Sequence, residues 1–174
     1  MNDHLAGSVT GLELAQRLAA NNQGTTLGTF MHDLATDIES DQQALKNVMQ
    51  QLRVEKQGAK QVVTWIAEKA TRLRFTRAVT GSADLSRLLE LEMLSMGIHG
   101  KLTLWRALGR ARDDHPGLID VDVETLAVRA EDQLERLEPH RLEAALAAFN
   151  EDRDGERRHG GRRRWKRPRR FRRR

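Results

Sequence analysis

The sequence predicts an all-α fold, a bundle of four long helices with a helical crossover between the second and the third. Four long stretches repeat apolar residues every three or four positions, the spacing that places side chains on one face of a helix. The links between the first and second stretches and between the third and fourth are short, whereas the middle link is long. That arrangement is typical of a bundle with one crossover connection.

Length and composition favour one domain, formed by residues 1–150. The chain has 174 residues, 39% of them hydrophobic, and only three prolines, which suits a single sizeable core. It has no cysteine, so disulfides, thiolate metal sites and cysteine nucleophiles are excluded. The N-terminal residues form neither the basic region nor the apolar segment of a signal peptide, and no run of 18 uncharged apolar residues follows. We therefore expect a cytoplasmic protein.

The first predicted helix covers residues 3–20, with Asp3 as its cap. Its apolar positions recur at helical spacing and are Leu5, Val9, Leu12, Ala15, Leu18 and Ala19. Gly7, Ser8 and Gly11 lie together beside His4, so we expect another helix backbone to approach closely there. The following segment, NNQGTT at 21–26, has the composition of a turn.

The second predicted helix covers residues 26–52 and contains one polar residue in its apolar stripe. The stripe consists of Leu27, Phe30, Met31, Leu34, Ile38, Leu45, Val48, Met49 and Leu52. Asp41 occupies the position between Ile38 and Leu45, and Asp37 lies one turn earlier. An uncompensated buried carboxylate is costly, so Asp41 needs a cation, a hydrogen-bonding partner or access to water.

A shorter amphipathic helix is predicted in the middle link, at about residues 59–75. Its apolar face contains Val62, Val63, Ile66, Ala70 and Leu73, and its other face contains Lys60, Lys69, Arg72, Arg74 and Arg77. The basic face is either a solvated surface, which is the simpler interpretation, or a basic patch. A helix of this length spans about 25 Å, which makes a crossover along the bundle feasible.

The third predicted helix, residues 82–108, has two apolar sectors and should be the most buried. One sector contains Leu88, Leu91, Leu94, Ile98, Leu102 and Trp105, and the other contains Leu85, Leu89, Met93, Met96, Leu104 and Leu108. Two polar strips separate the sectors, and one of them contains Glu90, Gly97 and Lys101. We expect the second sector to pack against the crossover helix around Ile66.

The fourth predicted helix follows a loop at residues 110–122, is capped by Asp120 or Asp122, and ends near Phe149. Its first stripe contains Val123, Leu126, Ala127, Ala130, Leu134 and Leu137. Pro139 should then kink or end the helix. Beyond it, we expect Leu142, Ala145, Leu146 and Phe149 to form a stripe on a shifted face.

Residues 151–174 form an Arg-rich tail that differs sharply in charge from the rest of the chain. Residues 1–150 contain 17 Lys and Arg against 21 Asp and Glu, whereas residues 151–174 contain 13 against 4. The tail has no apolar periodicity and cannot bury enough surface to offset its ordering entropy. We expect it to be disordered.

Three segments, HLAGSVTGLELAQRL, LELEMLSMGIHGKLTLWRAL and AVRAEDQLERLEPHRLEAALAAF, resemble an uncharacterised family of small bacterial ferritin-like helical proteins. The resemblance covers residues 3–149 and implies a ferritin-like four-helix bundle. Active members of that superfamily bind two metals with a Glu from each of two helices and a Glu-x-x-His motif from each of the other two. Here Glu156 and His159, in the tail, form the only such motif. Oxidase, ferroxidase and iron-storage functions are therefore disfavoured.

The sequence predicts no catalytic residue, cofactor or metal. It contains no glycine-rich phosphate loop, no H-E-x-x-H and no G-x-S-x-G. The alternative left open is a ferritin-like metal-binding or redox protein with a non-standard site formed by Asp37, Asp41, Glu92 and His99. We instead expect a polar core network in which protein cations compensate Asp41 and Glu92, with Arg129 the best candidate. Gln133, His99 and His4 are its expected hydrogen-bonding support.

The tail is the predicted binding element, for nucleic acid or an anionic lipid surface. The candidate residues are Arg162, Arg163, Arg164, Trp165, Lys166, Arg167, Arg169, Arg170, Phe171, Arg172, Arg173 and Arg174. Guanidinium groups pair with phosphates, while the two aromatic residues stack on bases or lie at a lipid interface. A basic tail without a dedicated partner is the alternative. A protein partner or a homo-oligomer stays open, and no small-molecule substrate is indicated.

Overall fold

A computed structural model describes residues 1–54 and 82–160 of the chain, with side chains up to residue 150. It contains four α-helices: α1 (Asn2–Asn21), α2 (Thr26–Gln51), α3 (Ala83–Ala111) and α4 (Val123–Gly160). Two short 3-10 helices, Arg112–Asp114 and Pro116–Leu118, join α3 to α4. Every regular element in these ranges is helical, so the all-α prediction is confirmed. Within the same ranges no helix is both long and apolar enough to cross a bilayer.

Side-chain caps explain where three of the helices begin. Thr25 Oγ1 accepts a hydrogen bond from the Gly28 amide at 3.1 Å, and Ser82 Oγ accepts one from the Leu85 amide at 3.2 Å. Asp122 accepts from the Thr125 amide at 3.0 Å at the start of α4. In α1 the N-cap position belongs to Met1. Asp3 therefore does not cap α1 as predicted but lies in its first turn, where its charge favours the helix dipole.

The helix directions follow from contacts at the two ends of the bundle. Arg17, late in α1, pairs with Glu90, early in α3, at 2.9 Å. At the other end, the carbonyl of Gln51 in α2 lies so close to Gly117 that a Cβ there would be 3.0 Å from it. Thus α2 and α3 run in the same direction, and the link from Val54 to Ser82 joins opposite ends of the bundle. The crossover helix predicted at 59–75 lies outside the described residues.

The core extends along the bundle in two apolar clusters. One contains residues of all four helices and includes Met31, Leu91 and Leu137, each 1% exposed or less. The other joins the end of α2 to the α3–α4 connection and consists of Leu45, Val48, Met49, Trp105, Leu108, Leu118 and Val123. Burial of these side chains, more than helix propensity, stabilises the helices.

The two sectors of α3 differ in burial. All six residues of the first sector are buried, as predicted. In the second sector only Leu108 is buried, and Met96 is 65% exposed. The crossover helix expected to pack on this sector lies outside the described residues, so the burial of α3 on that side stays a prediction. Small residues such as Gly7 on the facing side of α1 leave space beside this sector.

The last helix is longer than the sequence predicts, and its buried face continues past Pro139 without a shift. It includes Pro139 and continues to Gly160, ten residues beyond the end of the predicted bundle. Its buried face does not shift after Pro139, because Ala130, Leu137, Ala144 and Ala148 keep one helical stripe. Leu142, Leu146 and Phe149, predicted to form an apolar stripe on a shifted face, are 49%, 68% and 67% exposed. Residues 151–160 continue the helix without apolar periodicity.

Candidate functional site

Polar and aromatic side chains join α2 to α4 at four successive levels, which we call the α2–α4 seam. The rings of Phe30 and His140 stack with centroids 5.4 Å apart, and Asp33 lies 3.6 Å from Arg136. Asp37 accepts a hydrogen bond from Gln133 at 3.0 Å, and Asp41 accepts one from Arg129. The α2 partners ascend in number while the α4 partners descend. The two helices are therefore antiparallel and held in a single register.

Asp41 is the most buried acid of the seam and is paired with two cations. Its side chain is 5% exposed, and its Oδ2 accepts a hydrogen bond from Lys101 Nζ of α3 at 2.5 Å. Its other oxygen accepts from Arg129 Nη2, while Arg129 Nη1 donates to Ser40 Oγ at 3.3 Å. Each of the two long side chains thus binds a different oxygen of the carboxylate. The buried charge at Asp41 is therefore compensated by the protein itself.

Gln133 connects the two acids of α2 through Lys101. It is fully buried; its Oε1 accepts from Lys101 Nζ at 2.5 Å, and its Nε2 donates to Asp37 Oδ2 at 3.0 Å. The cluster, which we call the polar core, consists of Asp37, Asp41, Lys101, Arg129 and Gln133. Two acids and two cations make it neutral overall. Such a network holds charges in place and needs no external ion.

Lys101 is the member of the polar core with a perturbed pKa. Burial in the bundle lowers the pKa of its ammonium group below the usual value, and the attraction of Asp41 opposes that shift without cancelling it. Since only 16% of its side chain is exposed, solvent reaches the amine poorly. The stability that the polar core contributes should therefore depend on pH in the alkaline range.

Three of the six residues predicted to form the polar network lie together, and three lie elsewhere. Asp41, Arg129 and Gln133 meet as described above. Glu92 is 42% exposed at its side chain and lies 3.8 Å from Arg141, which is its cation instead of Arg129. His99 is exposed, with Nδ1 at 3.0 Å from the carbonyl oxygen of Ser95 in its own helix. His4 is half-buried near the start of α1, and burial lowers its pKa.

Sequence reasoning missed Lys101, although the pattern contained a signal for it. Lys101 lies directly before the buried Leu102 and three residues after the buried Ile98. Lys101 belongs to a narrow polar strip with an apolar sector on each side. When both sectors contact neighbouring helices, the side chains of such a strip lie partly in the interior. The second polar strip of α3, which contains Glu92, Ser95, His99, Thr103 and Arg106, faces outward instead. This explains why Glu92 and His99 do not join Asp41.

The described residues do not form a metal site. In this part of the chain no three His, Cys, Asp or Glu side chains are close enough to hold a metal ion. Asp37 and Asp41 are bound by Gln133 and by two cations, and Glu92 and His99 lie away from them. The alternative site of Asp37, Asp41, Glu92 and His99 is therefore not assembled. The donor set does not fit the pair of metals that the ferritin-like resemblance implies.

An apolar pocket of about 420 Å³ lies between α1, α2 and α3, next to the polar core. Its walls include Leu14, Ile38, Leu45, Met93, Met96 and Leu104, with Asp41 and Lys101 at its border. The glycines of α1 predicted to admit another helix, Gly7 and Gly11, line this pocket. At Gly7, no described atom lies within 4 Å of the position that a Cβ would occupy. The pocket is a feature that the sequence did not predict.

The predicted polyanion-binding residues, Arg162 to Arg174, lie outside the described residues. Compared with known proteins, the chain matches no family model, no curated protein and no solved structure.

Proposed function

We propose that this protein is a non-enzymatic ferritin-like helical bundle whose Arg-rich tail binds polyanions, namely nucleic acid or an anionic membrane surface. The observation on which the proposal rests is the separation of charge along the chain. From Arg157 onward 12 of 18 residues are basic and none is acidic, while residues 1–150 have an excess of four acids. A basic segment attached to an acidic body concentrates attraction for phosphate in the segment alone.

Topology supports the ferritin-like part of the proposal. The helices α2 and α3 run in parallel and are joined by a long link between opposite ends of the bundle, as in bundles with one crossover. The polar core supports the part of the proposal that assigns no metal chemistry to the bundle. Lys101 and Arg129 bind Asp41 in the interior of the bundle, and two cations around one acid repel a metal ion.

The composition of the tail indicates how it would bind. Its arginines present planar forks of donors that pair with phosphate oxygens through two hydrogen bonds. Trp165 and Phe171 lie among them and add stacking on unpaired bases or insertion at a lipid interface. Binding should therefore be steered by charge, insensitive to base sequence and strongly dependent on salt.

The test is a titration of labelled duplex DNA, single-stranded RNA and anionic vesicles with the full chain and with a chain ending at Asn150. We expect only the full chain to bind. On duplex DNA its affinity should fall by roughly 10³–10⁵ between 50 and 200 mM salt if it contacts six to ten phosphates. A full chain with Trp165→Ala and Phe171→Ala is the matched control, since it keeps every charge. Equal binding by the shortened chain would refute the assignment to the tail.

Elemental analysis tests the non-enzymatic part separately. Untagged, purified protein should be folded and contain no stoichiometric transition metal. About two such ions per chain, the number in active ferritin-like proteins, would show that the bundle has metal chemistry after all.

A further inference from the structure

An apolar stripe on α4 faces away from the core of the bundle. Leu142, Leu146 and Phe149 recur at intervals of four and three residues, which places them on one side of the helix. All three are exposed, whereas Ala144 and Ala148, on the opposite side of the same turns, are buried. Three of the six large apolar side chains that the described part of the chain exposes lie within these eight residues. Such a patch, which we call the outer stripe, is typical of an interaction surface.

The sequence from the outer stripe to the end of the chain is apolar at first and strongly basic later. Residues 142–150, LEAALAAFN, contain a single charged residue, Glu143. Residues 151–156 then contain four acids and one Arg, and residues 157–174 contain 12 basic residues and no acid. The acids next to the stripe therefore reduce the positive charge of this end of the chain without reversing it.

The backbone of α4 connects the outer stripe to the basic run. The helix continues from Phe149 through Arg157 to Gly160. At 1.5 Å per residue, the eight residues from Phe149 to Arg157 advance the helix by about 12 Å. That distance is comparable with the Debye length, which is about 8 Å at physiological ionic strength. A charged surface in contact with the stripe therefore also attracts the arginines.

Of the two polyanions in the proposed function, an anionic membrane surface is the one that uses both features. Nucleic-acid interfaces are polar and strongly positive, and phosphates offer an exposed apolar stripe no favourable contact. Stable attachment to a bilayer surface instead takes two signals, an apolar group that enters the boundary between headgroups and acyl chains and a polybasic segment. The outer stripe supplies the first signal, and residues 157–174 supply the second.

We propose that Leu142, Leu146 and Phe149 insert into the headgroup boundary of an anionic membrane while the Arg-rich tail binds the lipid phosphates. The inference rests on the proposed function, because three apolar side chains without a polyanion-binding tail attach too weakly. Only side chains that are already exposed enter the lipid. The side of α4 that contains Ala144 and Ala148 stays packed in the bundle, so binding requires no rearrangement of the described helices.

The chain has no cysteine, so a single introduced cysteine can report on the outer stripe. In the full chain, Leu146→Cys is labelled with the polarity-sensitive fluorophore nitrobenzoxadiazole, and Ala107→Cys, at an exposed position of α3, is the control. We expect vesicles of equal parts phosphatidylcholine and phosphatidylglycerol to shift the emission of the Leu146 label to the blue, and brominated lipids to quench it. The Ala107 label should not respond. Duplex DNA and single-stranded RNA should change neither label.

A variant without the apolar stripe measures its contribution to affinity. The combination of Leu142→Gln, Leu146→Gln and Phe149→Gln keeps every charge and changes only exposed side chains. Its affinity for the anionic vesicles should fall by about tenfold or more, because the lipid no longer buries apolar surface at these positions. Its affinity for DNA and RNA should stay unchanged. Ile119→Gln, at a similarly exposed position between α3 and α4, is the matched control and should bind the vesicles normally.

The outcomes separate this inference from the proposed function. If iodide cannot quench the Leu146 label before vesicles are added, another part of the chain or a second copy covers the stripe. If the triple variant binds vesicles as tightly as the normal chain, the tail binds them alone. Either result, or binding of the full chain to nucleic acid but not to vesicles, overturns the insertion and leaves the tail as a polyanion-binding element. A full chain that binds none of the three polyanions overturns the proposed function and the inference together.

Discussion

Among the described residues, buried polar groups are paired at the α2–α4 seam, whereas several at the pocket between α1, α2 and α3 are unpaired. At the seam, Asp37 and Asp41 each have a partner from the opposite helix. At the pocket, Gln42 and Trp105 have an unpaired nitrogen each, as far as the described residues extend. Asp41 and Gln42 are neighbours in the sequence, so a single turn of α2 contributes to both regions. The difference lies in what faces each side chain and not in the local sequence.

The comparison separates two uses of polarity in a helical interior. Paired groups at three- or four-residue spacing oppose one another in one register only, so they specify how α2 lies against α4. Unpaired groups specify nothing within the bundle and reduce its stability. Substitutions in the two regions should therefore have different signs.

Removal of Asp41 should have the largest effect. Asp41→Ala leaves Lys101 and Arg129 close together without their carboxylate, and loss of one partner of a buried pair costs about 3–5 kcal/mol. The free energy of unfolding in urea measures it. Asp33→Ala is the control, because the pair of Asp33 with Arg136 is half exposed and should contribute under about 1 kcal/mol. Equal effects of the two substitutions would mean that Asp41 is solvated.

The sequence predicts the features of the polar core that arise within a single helix, but not the contacts between helices. Asp41 is conspicuous because it interrupts a helical stripe, and the fork of Arg129 suggests a partner. That Lys101 lies beside both depends on the rotation of α3, which no local pattern determines. The same dependence explains why Glu92 and His99, predicted to join Asp41, lie elsewhere. The seam and the pocket depend on three or four helices at once, which is why the helices are predictable and their interfaces are not.

One substitution made at two glutamines should show the contrast in sign. Gln133→Leu removes two hydrogen bonds and leaves Asp37 without its amide donor, so it should destabilise by about 1–3 kcal/mol. Gln42→Leu replaces a side chain whose buried Nε2 is unpaired by an apolar one of similar size, so the protein should be unchanged or more stable. The free energies of unfolding of both variants in urea, compared with that of the normal protein, test this contrast. Destabilisation by Gln42→Leu would show that the nitrogen has a partner.

A smaller contrast is expected between two glycines. Gly100→Ala adds a methyl group to open space and improves helix propensity, so it should stabilise by about 0.5–1 kcal/mol. Gly28→Ala should destabilise, because its Cβ would lie 2.1 Å from the carbonyl oxygen of Asn22 in the turn before α2. Thermal unfolding measures both. A loss of stability in Gly100→Ala would mean that the pocket wall is closed at this position.

The last prediction concerns pH and depends on Lys101 alone. Burial lowers the pKa of Lys101 in the folded protein below the 10.5 of an ordinary lysine, so between these two values the unfolded chain binds more protons. The free energy of unfolding should therefore rise with pH in that alkaline window, by at most about 1.4 kcal/mol per pH unit, and stay level below it. Other groups titrate there too, and the difference between the normal protein and Lys101→Met removes their contribution. That difference should grow in favour of the normal protein as pH rises towards 10.5. If it shrank instead, attraction to Asp41 would outweigh burial, and Lys101 would behave as a solvated partner and not as part of a buried core.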